Sequence, residues 1–202
     1  MKKTISFIGF SKSGKTAIIS ELVKYFSERG YRVGVIKHTN KNFEMDREGK
    51  DSWRIYRAGA DVIVLSPVKM AYQIHLEDLN LQSNPPSNKF SKKELSLEDL
   101  TRFFSEYDII ITEGFKKEFC KGIAVARNEK ELKKLIDLLD KEDKETSNEH
   151  KKGDILAVVL TKSGSPISPI GPINPNMPKF FYPNQIEELA KFILSIITEK
   201  SD

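Results

Sequence analysis

Short apolar runs alternate with amphipathic stretches along most of the chain. Thr4–Gly9 is a compact β-rich run and predicts a buried strand. Between Lys15 and Arg29 the apolar residues Ile18, Ile19, Leu22, Val23 and Phe26 return at helical spacing and define one buried face, with Gly30 placed to stop the helix. Arg32–Lys37, containing Val33, Val35 and Ile36, predicts a second strand. Strand, loop, helix and strand in this order form a βαβ unit, which predicts a parallel pair with a right-handed crossover.

The pattern continues. His38–Gly49 is polar and reads as a loop at the carboxyl edge of the second strand. Asp51–Ala58 predicts a helix stopped by Gly59, and Asp61–Leu65 and Met70–Leu76 predict strands joined tightly through Ser66-Pro67. Asn80–Phe90, with Pro85-Pro86, reads as a surface loop. Leu97–Glu106 has helical spacing, with Ser96 as N-cap and Glu98 and Asp99 in the first turn. Asp108–Thr112 is the clearest buried strand, and Ile123–Ala126 predicts another. Glu129–Asp140 is an amphipathic helix running into the charged tract Lys141–Lys152, read as a loop or frayed helix end. Ile155–Leu160 is a buried strand, Ser163–Pro183 is rich in Pro, Gly and Ser with room for a β-hairpin, and Asn184–Glu199 closes the chain as a helix capped by Asn184. Alternating strands and helices give the α/β class with a mainly parallel sheet flanked by helices and a short hairpin extension.

Length and composition narrow this picture. A chain of 202 residues suits a single α/β domain over 1–202. Hydrophobic residues at 39% and charged residues at 31% fit a globular protein. The net charge of +4, from 33 basic and 29 acidic residues, is mixed, so no nucleic-acid face is expected. Cys120 is the only cysteine, which excludes an intrachain disulfide and suits a reducing cytoplasm. The opening apolar run passes directly into a glycine loop and is too short for a signal segment. No stretch reaches the roughly 20 apolar residues of a membrane span, so a cytoplasmic protein is expected.

The strongest chemical signal is Gly9-Phe-Ser-Lys-Ser-Gly14-Lys15-Thr16, a full G-x-x-x-x-G-K-[ST] match between a strand and a helix. Such a loop curls so that successive backbone N–H groups face one concavity, and the helix that follows points its unpaired N–H groups and positive end at phosphates. Gly9, Ser11, Lys12, Ser13, Gly14, Lys15, Thr16 and Ala17 are therefore the expected phosphate-binding set of a P-loop NTPase fold. Lys15 is placed to reach the β- and γ-phosphates, and the Thr16 hydroxyl to ligate Mg²⁺. Glu113-Gly114 follows the apolar Asp108–Thr112 run, so its carboxylate is expected near the metal or its waters, with Gly114 admitting backbone to the γ-phosphate. Asp108 should lie at the far end of that strand. Several residues carry two open readings. His38 is either a metal or catalytic residue or one ordering its own loop; Asp46 either holds a metal-bound water or is a solvated charge; Lys50 either meets a phosphate or is likewise solvated. Trp53 is expected to pack rather than stack on a base. Thr161-Lys162-Ser163-Gly164 stands where a guanine-reading Asn-Lys-x-Asp would be, but Gly164 replaces the Asp, and a plain turn is the favoured reading.

Taken together, Gly9–Thr16, Lys37–Thr39, Gly49–Ser52 (Gly-Lys-Asp-Ser), Ala58–Ala60 and Glu113–Lys116 resemble the molybdopterin-guanine dinucleotide biosynthesis protein B (MobB) family, of the SIMIBI branch of P-loop proteins. The resemblance covers about the first 127 residues. It implies a homodimer that binds GTP with Mg²⁺, hydrolyses it slowly and assists a molybdopterin guanylyltransferase, with molybdopterin itself as a further partner. In those terms Lys15 and Glu113 carry the catalysis; Thr16, Asp46 and Glu113 manage the metal. The sequence departs from the family at Asn40-Lys41, where histidines continue, at Glu48, where a Pro is common, and over Asn128–Asp202. Two rivals remain: an ATP-dependent small-molecule kinase and a non-hydrolysing, nucleotide-bound scaffold.

Overall fold

Strand β1 (Thr4–Ile8) is buried along its whole length and delivers the chain into the glycine loop, from which helix α1 (Lys15–Ser27) departs. The turn after α1 is closed by Gly30 N–H on Ser27 O and Tyr31 N–H on Phe26 O, where the sequence places the stop. Then follow β2 (Val33–Lys37), α2 (Asp51–Arg57), β3 (Val62–Leu65), β4 (Met70–Gln73), α3 (Leu97–Arg102), β5 (Ile109–Glu113), β6 (Lys121–Ala126), α4 (Glu129–Glu145), β7 (Asp154–Leu160), β8 (Lys179–Phe181) and α5 (Ile186–Thr198). This computed structural model describes residues 3–39, 45–73, 97–115, 119, 121–145, 153–162 and 178–198.

Six strands form one sheet in the order β2-β5-β1-β6-β7-β8, and every neighbouring pair is parallel. Parallel strands of this kind are covered on both faces, which explains their near-continuous apolar runs. On one face Ile5, Phe7, Ile109, Ile111, Ile123 and Val125 pack with Ile18, Leu22 and Phe26 of α1 and Leu189 and Ile193 of α5. On the other, Ile8, Ala124, Ala126 and Val158 pack with Leu132, Leu135 and Leu139 of α4, and Ile36 and Ile110 pack with Leu97 of α3. The alternation Ile5, Phe7 against Ile8 is the strand period of two written twice, once for each layer.

The described residues fall into two compact units. The sheet and its helices, residues 3–39 and 97–198, make one. Residues 45–73 make the other: α2 and the antiparallel pair β3–β4, whose turn is held by Ser66 N–H on Lys69 O at 2.8 Å and Lys69 N–H on Ser66 Oγ at 3.0 Å. The strands predicted at Asp61–Leu65 and Met70–Leu76 thus pair with each other in a two-stranded sheet.

Four elements differ from expectation. Helix α3 ends at Arg102, four residues short of the expected Glu106, and the chain turns there toward β5. Helix α4 continues to Glu145, because the first residues of the charged tract are good helix formers. Inside the Pro-rich stretch, β8 pairs parallel to β7, so it is a sixth strand of the main sheet and not one arm of a hairpin with β7. Helix α5 starts at Ile186, one residue later than an Asn184 cap requires, and Gln185 Oε1 accepts Tyr182 N–H in the turn before it. The Ser96 cap, the Asn80–Phe90 loop, Asn40-Lys41, Lys116, Cys120, Gly164, Glu199, the end of β4 toward Leu76, and the rest of the charged and Pro-rich tracts lie outside the described residues.

Candidate nucleotide site

The glycine loop stands at the carboxyl edge of the central strand, flanked by β5 on one side and β6 on the other. Its last residue, Gly14, has φ +99° and caps α1 without any side-chain hydrogen bond, and the first turn of α1 carries no acid. The positive end of α1 therefore meets the loop with no acidic side chain in its first turn, which favours an anion there. A Cβ on Gly14 would stand 2.8 Å from Thr161 Cγ2, so glycine is needed both for the backbone angle and for the close approach of the β7 end. Lys15, buried, folds into the loop and donates to Phe10 O at 2.8 Å, Gly9 O at 3.2 Å and Ser13 Oγ at 3.4 Å. Ser13 is fully buried, while Ser11, Lys12 and Ala17 are exposed on the rim. Lys12 has φ +61°, a conformation an L-residue seldom adopts.

Opposite the loop, β5 ends at Glu113. The register Phe7↔Glu113↔Lys37 across β1, β5 and β2 sets that carboxylate level with the strand that enters the loop. Thr16 Oγ1 lies 3.1 and 3.2 Å from the two Glu113 oxygens, and Lys37 Nζ lies 3.2 Å from Glu113 Oε2. His38 N–H donates to Glu113 O at 2.8 Å, and the His38 ring leans on Phe115 with centroids 5.3 Å apart. Gly114, φ +102°, turns the chain away where a Cβ would meet His38 O at 2.6 Å. Asp108 lies at the other end of β5, where its carboxylate accepts Arg32 N–H at 2.7 Å.

The hard oxygen donors Thr16 Oγ1 and Glu113, placed at the mouth of a phosphate loop, fit Mg²⁺, which takes one or two protein oxygens and completes its shell with phosphates and water. Among the described residues no three His, Cys, Asp or Glu side chains gather into a metal cage of their own.

The structure brings together Gly9, Ser13, Gly14, Lys15, Thr16, Glu113, Gly114 and His38. Asp46 and Lys50 belong to the smaller unit. There Asp46 accepts from Ser52 Oγ and from Arg47 N–H, and those two bonds, together with the Lys50 charge, hold its carboxyl below the usual range. Trp53 in α2 is half-buried, with the Arg57 guanidinium 5.8 Å over its ring.

Three groups stand outside the site residues expected from the sequence. Thr161, in the expected turn, donates its hydroxyl to Ser13 O at 2.8 Å and its N–H to Ala126 O at 2.9 Å, bracing the loop from behind. Its signal was only its place one residue beyond a buried strand. Glu131 Oε2 accepts from both the N–H and the Nε of Arg127 at 2.8 Å, while Asn128 Oδ1 accepts Glu131 N–H. Burial pushes the Glu131 carboxyl up, but the Arg127 bonds and the nearby Lys15 charge outweigh it and hold the group below its ordinary range. Lys37 is the third, and its signal was the strand-end position in Lys-His-Thr.

Comparison with known proteins matches this geometry to one family. The model described as molybdopterin guanine dinucleotide synthesis protein B (MobB) matches residues 4–160, beyond the 127 residues over which the motifs resemble it. A molybdopterin-guanine dinucleotide biosynthesis adapter protein of Haemophilus influenzae is 33% identical over 127 residues, 62% of this chain and 64% of that protein. Its Escherichia coli namesake is 32% identical over 127 residues, 61% of this chain and 65% of that protein. The chain spans a little under two thirds of the length of these relatives. A crystal structure of molybdopterin-guanine biosynthesis protein B is 31% identical with a TM-score of 0.62, covering 97% of this chain and 99% of that one. The Bacillus subtilis MobB structure, 19% identical with a TM-score of 0.66 over 98% of this chain and 99% of its own, shares the fold. With the family model matched from the first strand through Leu160, the chain belongs to the MobB family.

Proposed function

We propose that this protein binds GTP with Mg²⁺ and acts as an adapter in assembling molybdopterin guanine dinucleotide, hydrolysing the nucleotide slowly. One observation carries the nucleotide reading: the start of α1, the in-folded Lys15 and the Thr16–Glu113 pair meet at the carboxyl ends of β1 and β5. The loop amides bind the phosphates, Lys15 exchanges its carbonyl partners for phosphate oxygens, and Thr16 and Glu113 hold the metal. When bound, Mg²⁺ neutralises charge on the phosphates. The adapter role is supported by the matched relatives, which are named as adapters of that biosynthesis; guanine preference and a guanylyltransferase partner are the finer part of the proposal.

A homodimer is part of the proposal. Ile63, Leu65, Met70 and Tyr72 of β3 and β4 are all more than half exposed, which leaves an apolar surface suited to a second copy. Cytoplasmic location is likewise proposed; among the described residues no helix is long and apolar enough to cross a membrane.

The deciding experiment adds a molybdopterin guanylyltransferase and molybdopterin to the protein with radiolabelled GTP or ATP. The adapter reading predicts co-purification with the transferase, GTP preference and slow phosphate release. Preference for ATP with transfer to a metabolite would replace it with a kinase. Tight GTP binding without phosphate release, partner present, would leave a scaffold.

A further inference from the structure

Lys37 ends β2 in register with Glu113 of β5, and residues paired this way on parallel strands project to the same side of the sheet. Its ammonium reaches Glu113 Oε2 at 3.2 Å and lies 3.5 Å from Thr16 Oγ1, to which it donates. Thr16 Oγ1 is itself within 3.2 Å of both Glu113 oxygens. One cation thus already touches both oxygen donors that a divalent ion would use. The two partners differ in freedom: the Glu113 side chain is 12% exposed, the Lys37 side chain 56%. A carboxylate fixed at a strand end cannot follow a departing partner, whereas a four-carbon stem in solvent can swing. Two cations on one carboxylate repel, and a triphosphate entering the loop offers the displaced ammonium new oxygens.

We propose that Lys37 is a stand-in for the metal: before nucleotide binds, its ammonium rests against the Thr16–Glu113 pair and touches both, and the arriving metal–nucleotide displaces it onto the phosphate oxygens. This inference rests on the nucleotide-site reading above. It makes Lys37 a nucleotide-binding residue that competes with the divalent ion, and these two roles have opposite signs when the charge is removed. Without Lys37, nucleotide arriving without metal meets a Glu113 carboxylate that no cation neutralises and binds more weakly. The metal meets no competitor and binds more tightly. A lysine that merely holds the two strand ends together would, once removed, weaken both.

The test is calorimetric titration of the full chain and of Lys37→Met with the non-hydrolysable analogue GMPPNP, first in EDTA and then at stepped Mg²⁺ concentrations. Lys37→Met should weaken binding in EDTA by roughly threefold to tenfold and lower the half-saturating Mg²⁺ concentration by a similar factor. Lys37→Gln should behave likewise, and Lys37→Arg, which keeps the charge, should retain the affinity in EDTA. A change of the same sign in both arms, or a Mg²⁺ requirement that does not move, overturns the assignment of Lys37 and leaves the nucleotide site standing. Wild-type protein that binds no analogue in either buffer overturns the nucleotide-site reading, and this inference with it.

Discussion

Replacing Gly114 by Ala tests how the carboxylate side of the site is held. Gly114 has φ +102°, and a Cβ there would stand 2.6 Å from His38 O and 3.4 Å from His38 C. The obstructing atom is backbone, and it is tied in place because His38 N–H donates to Glu113 O at 2.8 Å. Backbone strain at such an angle costs about 1–3 kcal/mol. Overpacking against an atom that cannot step aside adds about 1–3 kcal/mol. The sum, about 2–6 kcal/mol, is a large share of the ~5–15 kcal/mol that holds a typical domain together. Gly30→Ala is the matched control: φ is +82°, but nothing lies within 4 Å of its Cβ, so it carries only the backbone strain. Urea unfolding of both variants, compared at constant m-value, separates the two contributions. Gly114→Ala should exceed Gly30→Ala by about 1–3 kcal/mol and should weaken nucleotide binding, because relief requires the ends of β2 and β5 to part. Equal costs for the two variants, with nucleotide affinity unchanged in Gly114→Ala, would refute the reasoning.

Thr161→Val keeps the shape of the side chain but removes the hydroxyl that donates to Ser13 O, and should cost about 0.5–1.5 kcal/mol in unfolding experiments with a measurable loss of nucleotide affinity. Glu131 has its carboxyl pKa held below its ordinary 4.5, so its stabilising contribution is present above that value and is lost as pH falls through the lower folded value. Glu131→Gln should therefore be less stable at neutral pH and show a shallower decline on acidification, measured by unfolding at a series of pH values. Phe26→Ala empties a fully buried position between α1 and the sheet and should destabilise by about 3–5 kcal/mol, read from the shift in urea midpoint.

Much of this was legible in the sequence because the signals were local. Thr4–Gly9 and Asp108–Thr112 show buried parallel strands as near-continuous apolar runs, and the loop spells its own geometry between Gly9 and Thr16. The elements that escaped depend on partners distant in sequence. A three-residue strand such as Lys179–Phe181 has too few positions to display a period, and only its pairing with Ala157–Val159 defines it. The apolar pattern of β3 and β4 predicted strands but not that they would pair only with each other, because periodicity specifies a face and not a neighbour. Thr161 and Lys37 acquire their contacts through register between strands, which no single segment encodes. Glu113 was visible since it followed a strong strand beside a recognised loop.

The central claim is that residues 9–16 and Glu113 form one triphosphate site. Calorimetry of the wild-type chain and of Lys15→Ala with Mg²⁺-GTP tests it most directly. The account predicts binding at one site in the wild type that strengthens with Mg²⁺ and is abolished by Lys15→Ala while the variant stays folded. Unchanged affinity in Lys15→Ala would contradict it.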